Sequence, residues 1–217
     1  MRGGVASLRR PVATSTDSAS RTEILDAAAE AFMQKGFAAT SIDDVCDLLG
    51  ATKGRVYHHY RSKTDLFFDV HLRGMEMDLA AVQEAAQQEG AAIDRLRAMA
   101  SAHITVIIQN FAYQRVAVQG LEMHLAGQTT EQQRATLKHI LNLRDKYEKL
   151  FSDTIEEAIR EGAIPHQNVR IVVKAFFGAL NWTTLWYRPR RNQSAADRKA
   201  LADTIVDFAM SGLRMAK

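Results

Sequence analysis

Cysteine, proline and long apolar runs are nearly absent from this 217-residue chain. A single cysteine, Cys46, excludes a disulfide framework and any zinc site built from several thiolates. With only 3 prolines, and with Ala, Leu, Arg, Glu and Gln throughout, little interrupts helix formation, so an all-α fold is expected. No stretch approaches the roughly 18 apolar residues of a membrane helix, so no membrane partner is expected. The first residues lack the apolar segment of a secretory signal, and a reducing, cytoplasmic location follows as the expectation. Charge of one sign is also lacking: 28 cations against 25 acids leave +3, too little to indicate nucleic acid by itself. The phosphate-cradling and nucleophile-elbow patterns of common enzymes are missing, and pairs such as Glu156-Glu157 or Glu122 with His124 are ordinary in a helical chain. No catalytic residue and no cofactor are expected.

What is present is 47% hydrophobic residue content, enough for a sizeable core, and an uneven placement of charge. From Gly50 to Lys63 the cations Lys53, Arg55, Arg61 and Lys63 stand without a carboxylate, and His58 and His59 share the window. From Thr64 onward 19 cations face 18 acids. A local basic patch on a balanced body suits a small anion-binding surface.

Residues 1–20 are rich in Arg and Ser, poor in acids and without amphipathic period, and are read as a flexible basic arm. Four S-x-x-[DE] capping boxes, at Ser20, Ser41, Ser62 and Ser194, each precede an apolar run of helical period. They predict helices over about 21–35, 42–49, 63–88 and 195–215, with Gly36 and Gly50 as stops. Further helices are expected over 92–110, 113–125 and about 131–161, with Gly162 and Pro165 as stops. The segment 168–187 is apolar nearly all round, which requires cover on most sides.

Two short helices, about 42–49 and 52–60, are joined by a tight turn at Gly50-Ala51, the helix-turn-helix layout whose second helix enters a DNA major groove. Its outward face would offer the donors of Thr52, Lys53, Tyr57 and His58, with Gly54 leaving room for close approach. The ordered residues Ile24-Leu25-Asp26-Ala27-Ala28, Phe32, Lys35 to Ile42, Val45, Leu49 to Gly54, Val56 to Tyr60 and Ser62 to Leu66 closely resemble the DNA-binding domain of TetR-family transcriptional regulators. The resemblance implies a DNA-binding domain over 21–66 and a helical ligand-binding and dimerisation domain over 67–217. By the same resemblance Thr40 or Ser41 bonds a phosphate, and Thr52, Lys53 and Gly54 lead the recognition helix. Tyr57 and His58 contact phosphate, sugar or base edge, and Lys63 binds phosphate. Val56 and Tyr60 are core. Arg9, Arg10 and Arg21 are candidates for minor-groove or flanking phosphate contact.

The resemblance further implies a homodimer through about 168–187 and 195–215, and therefore a palindromic operator. Ligand binding would swing the helix that follows the recognition helix and spoil the spacing of the two reading heads. The segment Ala179-Leu180-Asn181-Trp182 followed by Leu185-Trp186-Tyr187-Arg188-Pro189 resembles regulators that sense acyl-CoA thioesters, although Arg190 stands where those often have Gly. Phe177, Asn181 and Leu185 lie four apart, on one face of a continuous helix. His103, Ile107 and Phe111, with Tyr147 and Phe151, are the expected opposing wall. Arg115, Arg144 and Lys146 are the cations available to a CoA phosphate. A polar Asn on an apolar face must bond either protein or ligand. The function expected is thus a ligand-responsive repressor released by a small hydrophobic effector such as an acyl-CoA. A drug-like effector and a ligand-independent DNA-binding protein stay open as alternatives. No metal site is expected, since His58 and His59 diverge by about 100° on a helix. Cys46 is expected to be buried and inert.

Overall fold

The computed structural model describes residues 15–118 and 130–214. Among them there are ten helices and no strand, an all-α fold. In chain order they are α1 (Ser15–Ala39), α2 (Ile42–Leu49), α3 (Lys53–His59), α4 (Lys63–Ala86), α5 (Ala92–Gln109), α6 (Phe111–Ala117), α7 (Glu131–Arg160), α8 (Val169–Asn181), α9 (Thr183–Trp186) and α10 (Ala195–Leu213).

α1, α2, α3 and the start of α4 share one small core. Ile24, Ala28 and Phe32 from α1 meet Val45, Val56, Leu66 and Phe67, all fully enclosed. Phe32 and Phe67 meet edge-on at 5.2 Å, and Phe37 closes on Phe67 at 4.8 Å. Burial of each such side chain contributes about 1.5–3 kcal/mol. α2 begins with the Ser41–Asp44 capping box and ends at Gly50, whose left-handed φ of 63° turns the chain into α3. A side chain there would be strained.

Two expectations for the N-terminal part are corrected. Ser20 does not open a helix, because α1 already runs from Ser15, six residues inside the segment read as a flexible arm. The Ser20 hydroxyl instead accepts from Arg55 Nε at 3.1 Å, and Glu23 pairs with the same guanidinium. Residues 1–14 of the arm, with Arg9 and Arg10, lie outside the described residues.

The body is layered around α5, whose Leu96, Met99, Ala100, Ile104 and Ile107 are fully buried. α4 and α7 cover one side of α5, and α10 covers another. α10 turns Ala202, Val206, Ala209 and Leu213 inward, a helical stripe. α6 sits between α1 and α4, and the Tyr113 hydroxyl donates to Asp26 of α1 at 2.7 Å. Phe111 opens α6 two residues before the expected start, and the expected continuation beyond Val118 lies outside the described residues.

The helix expected over 168–187 is broken. The Thr184 hydroxyl donates to the Asn181 carbonyl at 2.8 Å, and the Leu185 N–H bonds the Trp182 carbonyl instead. A threonine that captures a nearby carbonyl competes with the helix ladder. Leu185 therefore leaves the face that carries Phe177 and Asn181.

Candidate functional site

The surface made by α3 and the start of α4 carries most of the predicted DNA-facing residues, and the structure separates them into free and occupied groups. Thr52, Lys53, Gly54, Tyr57 and His58 are exposed, with Tyr57 at 50%. A Cβ on Gly54 would meet only Thr52 Oγ1, at 4.0 Å, so nothing inside the chain demands a glycine there. Lys53 pairs with Asp43 at 2.7 Å, both side chains being more than half exposed. Such a pair contributes little and exchanges readily for another anion. Ser41 is exposed, but its hydroxyl donates to Asp44 Oδ2 and accepts the Asp44 N–H.

Thr40, Lys63 and Arg21 differ from the expectation. Thr40 is 2% exposed, and its hydroxyl donates to the Gly36 carbonyl at 2.7 Å. Lys63 Nζ donates to the carbonyls of Phe37 and Ala38 at 2.8 and 3.2 Å and lies 4.5 Å from the centre of the Phe37 ring. Arg21 donates to the Tyr60 hydroxyl at 3.1 Å and pairs with Asp69. The physical reason is shared by Thr40 and Lys63. α1 departs from helical geometry at Gly36, where φ is 76° and ψ 162°, so the carbonyls around the break need outside donors. Lys63→Ala should therefore cost stability as well as charge, about 1–2 kcal/mol in urea unfolding, while Lys63→Arg should retain most of it.

A cavity of about 540 Å³ lies inside the body, lined by α4, α5, α6, α7, α8 and Thr184. His103, Tyr147, Phe177 and Asn181 of the predicted set line it. The other four do not. Ile107 is packed in the core, and Phe151 lies behind the wall with its ring 4.8 Å from Phe177. Phe111 packs on Tyr187 at 5.4 Å, and Leu185 is displaced by the break after α8.

A hydrogen-bonded chain crosses three helices at this wall. His103 Nε2 is 2.8 Å from Asn181 Oδ1, and Tyr147 Oη is 2.6 Å from His103 Nδ1. The Asn181 oxygen only accepts, so the imidazole carries its proton on Nε2 and Nδ1 accepts the Tyr147 hydroxyl. Burial lowers the His103 pKa to about 4, which keeps the ring neutral, and raises that of Tyr147. The Asn181 amide nitrogen has no partner among the described residues, and the residue lines the cavity. Arg144 lines it too, as do Glu148 and Lys174, which pair at 2.9 Å. Arg115 instead donates to the Thr184 carbonyl at 3.2 Å, and Lys146 is exposed away from the lining.

Residues 24–70 match the family described as bacterial regulatory proteins, tetR family, and residues 89–213 match a tetracyclin repressor-like C-terminal domain. The chain belongs to the tetR family. It is a transcriptional regulator, not an enzyme. The HTH-type transcriptional repressor KstR2 of Mycobacterium tuberculosis is 28% identical over 172 residues, covering 78% of this chain and 82% of that protein. The regulator PfmR of Thermus thermophilus superposes with a TM-score of 0.73 at 25% identity, over 88% of this chain and 99% of that one. AibR, solved in complex with isovaleryl coenzyme A and operator DNA, shares the fold with a TM-score of 0.71 at 22% identity, over 90% and 98%. Among the described residues no helix is long and apolar enough to cross a membrane, and no three His, Cys, Asp or Glu side chains gather as a metal site.

Among the cavity residues of this tetR-family chain that the sequence did not single out are His71 and Asp78 on α4, and Gln114 on α6. The available signal was their position, since 71 and 78 interrupt the apolar inner stripe of α4 at helical spacing. Gln114 Nε2 donates to Asp78 Oδ1 at 2.8 Å. Burial pushes the Asp78 carboxyl up to about 7. Burial, with a smaller push from Arg144, brings the His71 imidazole down to about 4.

These shifts oppose one another in pH. Asp78 contributes stability fully below its unfolded pKa of 3.8 and loses it as pH rises through about 7. His71 and His103 contribute stability fully above 6.5 and lose it as pH falls through about 4. Between these values the two histidines outweigh the one carboxyl, so their combined contribution rises with pH. Asp78→Asn removes the opposing proton, and its stability between pH 4.5 and 6 should climb more steeply than the parent's, by about 1.4 kcal/mol per pH unit. Urea unfolding across that range measures it.

Proposed function

We propose that this chain is a homodimeric repressor that holds a palindromic operator with α3 of each subunit and releases it on binding an acyl-CoA thioester in the body cavity. The observation that carries the reading is the cavity itself. Its capacity of about 540 Å³ suits a small ligand, and one wall belongs to α4, whose first turn follows α3 directly. A ligand that displaces α4 therefore moves the reading head.

Several features support the parts. Gly54 is exposed with space for a side chain, and a helical glycine sacrifices about 1 kcal/mol, which close approach of DNA backbone would offset. Thr52, Tyr57 and His58 present donors to phosphate or base edge. The free amide of Asn181 can donate to a thioester carbonyl, and Arg144 and Lys174 can meet a phosphate. AibR was solved with a coenzyme A thioester and operator DNA, and KstR2 is named a repressor. Release by a hundredfold requires the effector to favour the unbound-DNA state by roughly 3 kcal/mol.

The test is a fluorescence-anisotropy titration on the intergenic DNA beside the chain's own gene, at fixed salt. Acyl-CoA thioesters are then added to the complex, with free CoA and free acids as controls. Release by a thioester alone supports the reading. DNA binding without release removes the thioester and makes another hydrophobic compound the effector. In the same assay Tyr57→Ala should weaken operator binding about tenfold or more with little change in urea midpoint, since the ring is half in solvent. Unchanged DNA affinity would sink the assignment of α3.

A further inference from the structure

The α4 wall of the cavity holds more hydrogen-bonding capacity than the protein uses. His71 is 5% exposed and lines the cavity, yet it has no hydrogen-bond partner among the described residues, and its Nδ1 is fully enclosed. Asp78 is also 5% exposed. One of its oxygens accepts from Gln114, and no cation pairs with it among the described residues. The two stand seven positions apart on one helix face, about 10 Å along the axis. Met75 lies between them and lines the same cavity.

A cavity meant only for a hydrocarbon would gain from apolar side chains at both positions, because burying a carboxyl or an imidazole without full hydrogen bonding is costly. Natural proteins rarely leave such groups unmet, and where they do, a ligand or water completes them. A cationic ligand is disfavoured by Arg144 in the same lining, where the Lys174 charge is already balanced by Glu148. A neutral oxygen function suits both stations: a hydroxyl both donates and accepts, and a ketone accepts from a ring N–H or a protonated carboxyl.

We infer that the α4 wall selects an oxygenated effector, one whose apolar part carries a hydroxyl or ketone that is met by Asp78 with Gln114 or by His71. The inference deepens the acyl-thioester reading by specifying the acyl part, and it holds for another carrier group as well. Met75 packs the apolar segment between the two stations. Asp78 and His71 are specificity residues on α4, whereas the Tyr147–His103–Asn181 chain is built into α5, α7 and α8.

The experiment is calorimetric titration of the full-length protein with two matched pairs of probes. One pair is octanoyl-CoA and its terminally hydroxylated counterpart. The other is octanol and the octanediol with a hydroxyl at each end. The hydroxylated member of each binding pair should bind about tenfold tighter or more, because a site with unmet polar groups rejects the analogue that leaves them unmet. Asp78→Leu or His71→Leu should abolish that preference, and Asp78→Asn, which still accepts from Gln114, should keep part of it. No preference in either pair with the parent protein overturns the inference, and that comparison stands even where a leucine variant fails to fold. A preference that survives in both leucine variants also overturns it. Discrimination among the alcohols with no thioester binding upholds the inference and removes the thioester reading. Binding of neither pair overturns both.

Discussion

A chain carrying Phe208→Glu is expected to run as a monomer in light scattering and to lose operator affinity by a hundredfold or more. Phe208 lies on α10 with 75% of its surface in solvent, and Ile171 on α8 is 66% exposed. Trp182, Leu185 and Trp186 extend the apolar surface past the end of α8. Large apolar side chains gathered on adjacent helices mark an interaction face. The proposed dimer covers them, and a carboxylate on that face would have to be buried without a partner. The fold of the subunit should survive, because α10 packs through its opposite stripe, Ala202, Val206, Ala209 and Leu213. Loss of DNA affinity follows from geometry alone. Two linked reading heads gain about 10²–10⁴ over one through effective concentration. A monomer with undiminished affinity, or a dimer that persists, would refute the proposed interface.

The second large effect is expected at the wall of the cavity. His103→Phe keeps ring and volume but leaves the Tyr147 hydroxyl and the Asn181 oxygen without their shared partner. Two orphaned polar groups should cost about 2–4 kcal/mol in urea unfolding. Adding Tyr147→Phe should restore about half of that loss, because removing both partners of a buried hydrogen bond is far milder than removing one. A double variant less stable than the single would show that the chain of bonds is not what holds these helices in register. Asn181→Leu belongs to the same set. It leaves a buried imidazole N–H unmet, so loss of effector response in that variant must be read beside its stability.

Local chemistry was legible in the sequence where its partners are local. The boxes at Ser41 and Ser194 form as expected because hydroxyl, carboxylate and N–H lie within one turn. Gly50 turns α2 into α3 for an equally local reason. Ser20 misled because Arg55, 35 residues away, claims its hydroxyl. Thr40 and Lys63 carry donors suited to phosphate, and sequence cannot show that a break at Gly36 leaves carbonyls that take them first. The cavity was half legible. Periodicity assigned His103, Tyr147, Phe177 and Asn181 to inner faces, but periodicity ranks Ile107 and Phe151 equally, and only packing decides which inner residue meets empty space. Leu185 was lost to one threonine hydroxyl. Asp78 and His71 were not legible because helical spacing alone does not separate a polar residue buried at a cost from one that reaches solvent.

The break after α8 leaves Trp182 and Trp186 63% and 48% exposed, and the chain has only these 2 tryptophans. Indole emission from this protein therefore originates at one corner of one domain, while the helices of the reading head carry Tyr57 and Tyr60 but no tryptophan and stay dark under excitation selective for indole. In a dilute separated subunit that emission should be red-shifted and open to quenching by iodide. Association of subunits over the α8–α10 face would shift it to the blue, and occupancy of the cavity would perturb it through Thr184, which lines the cavity beside them. The native chain thus carries its own label for assembly and for ligand, with no tryptophan background from the helix-turn-helix.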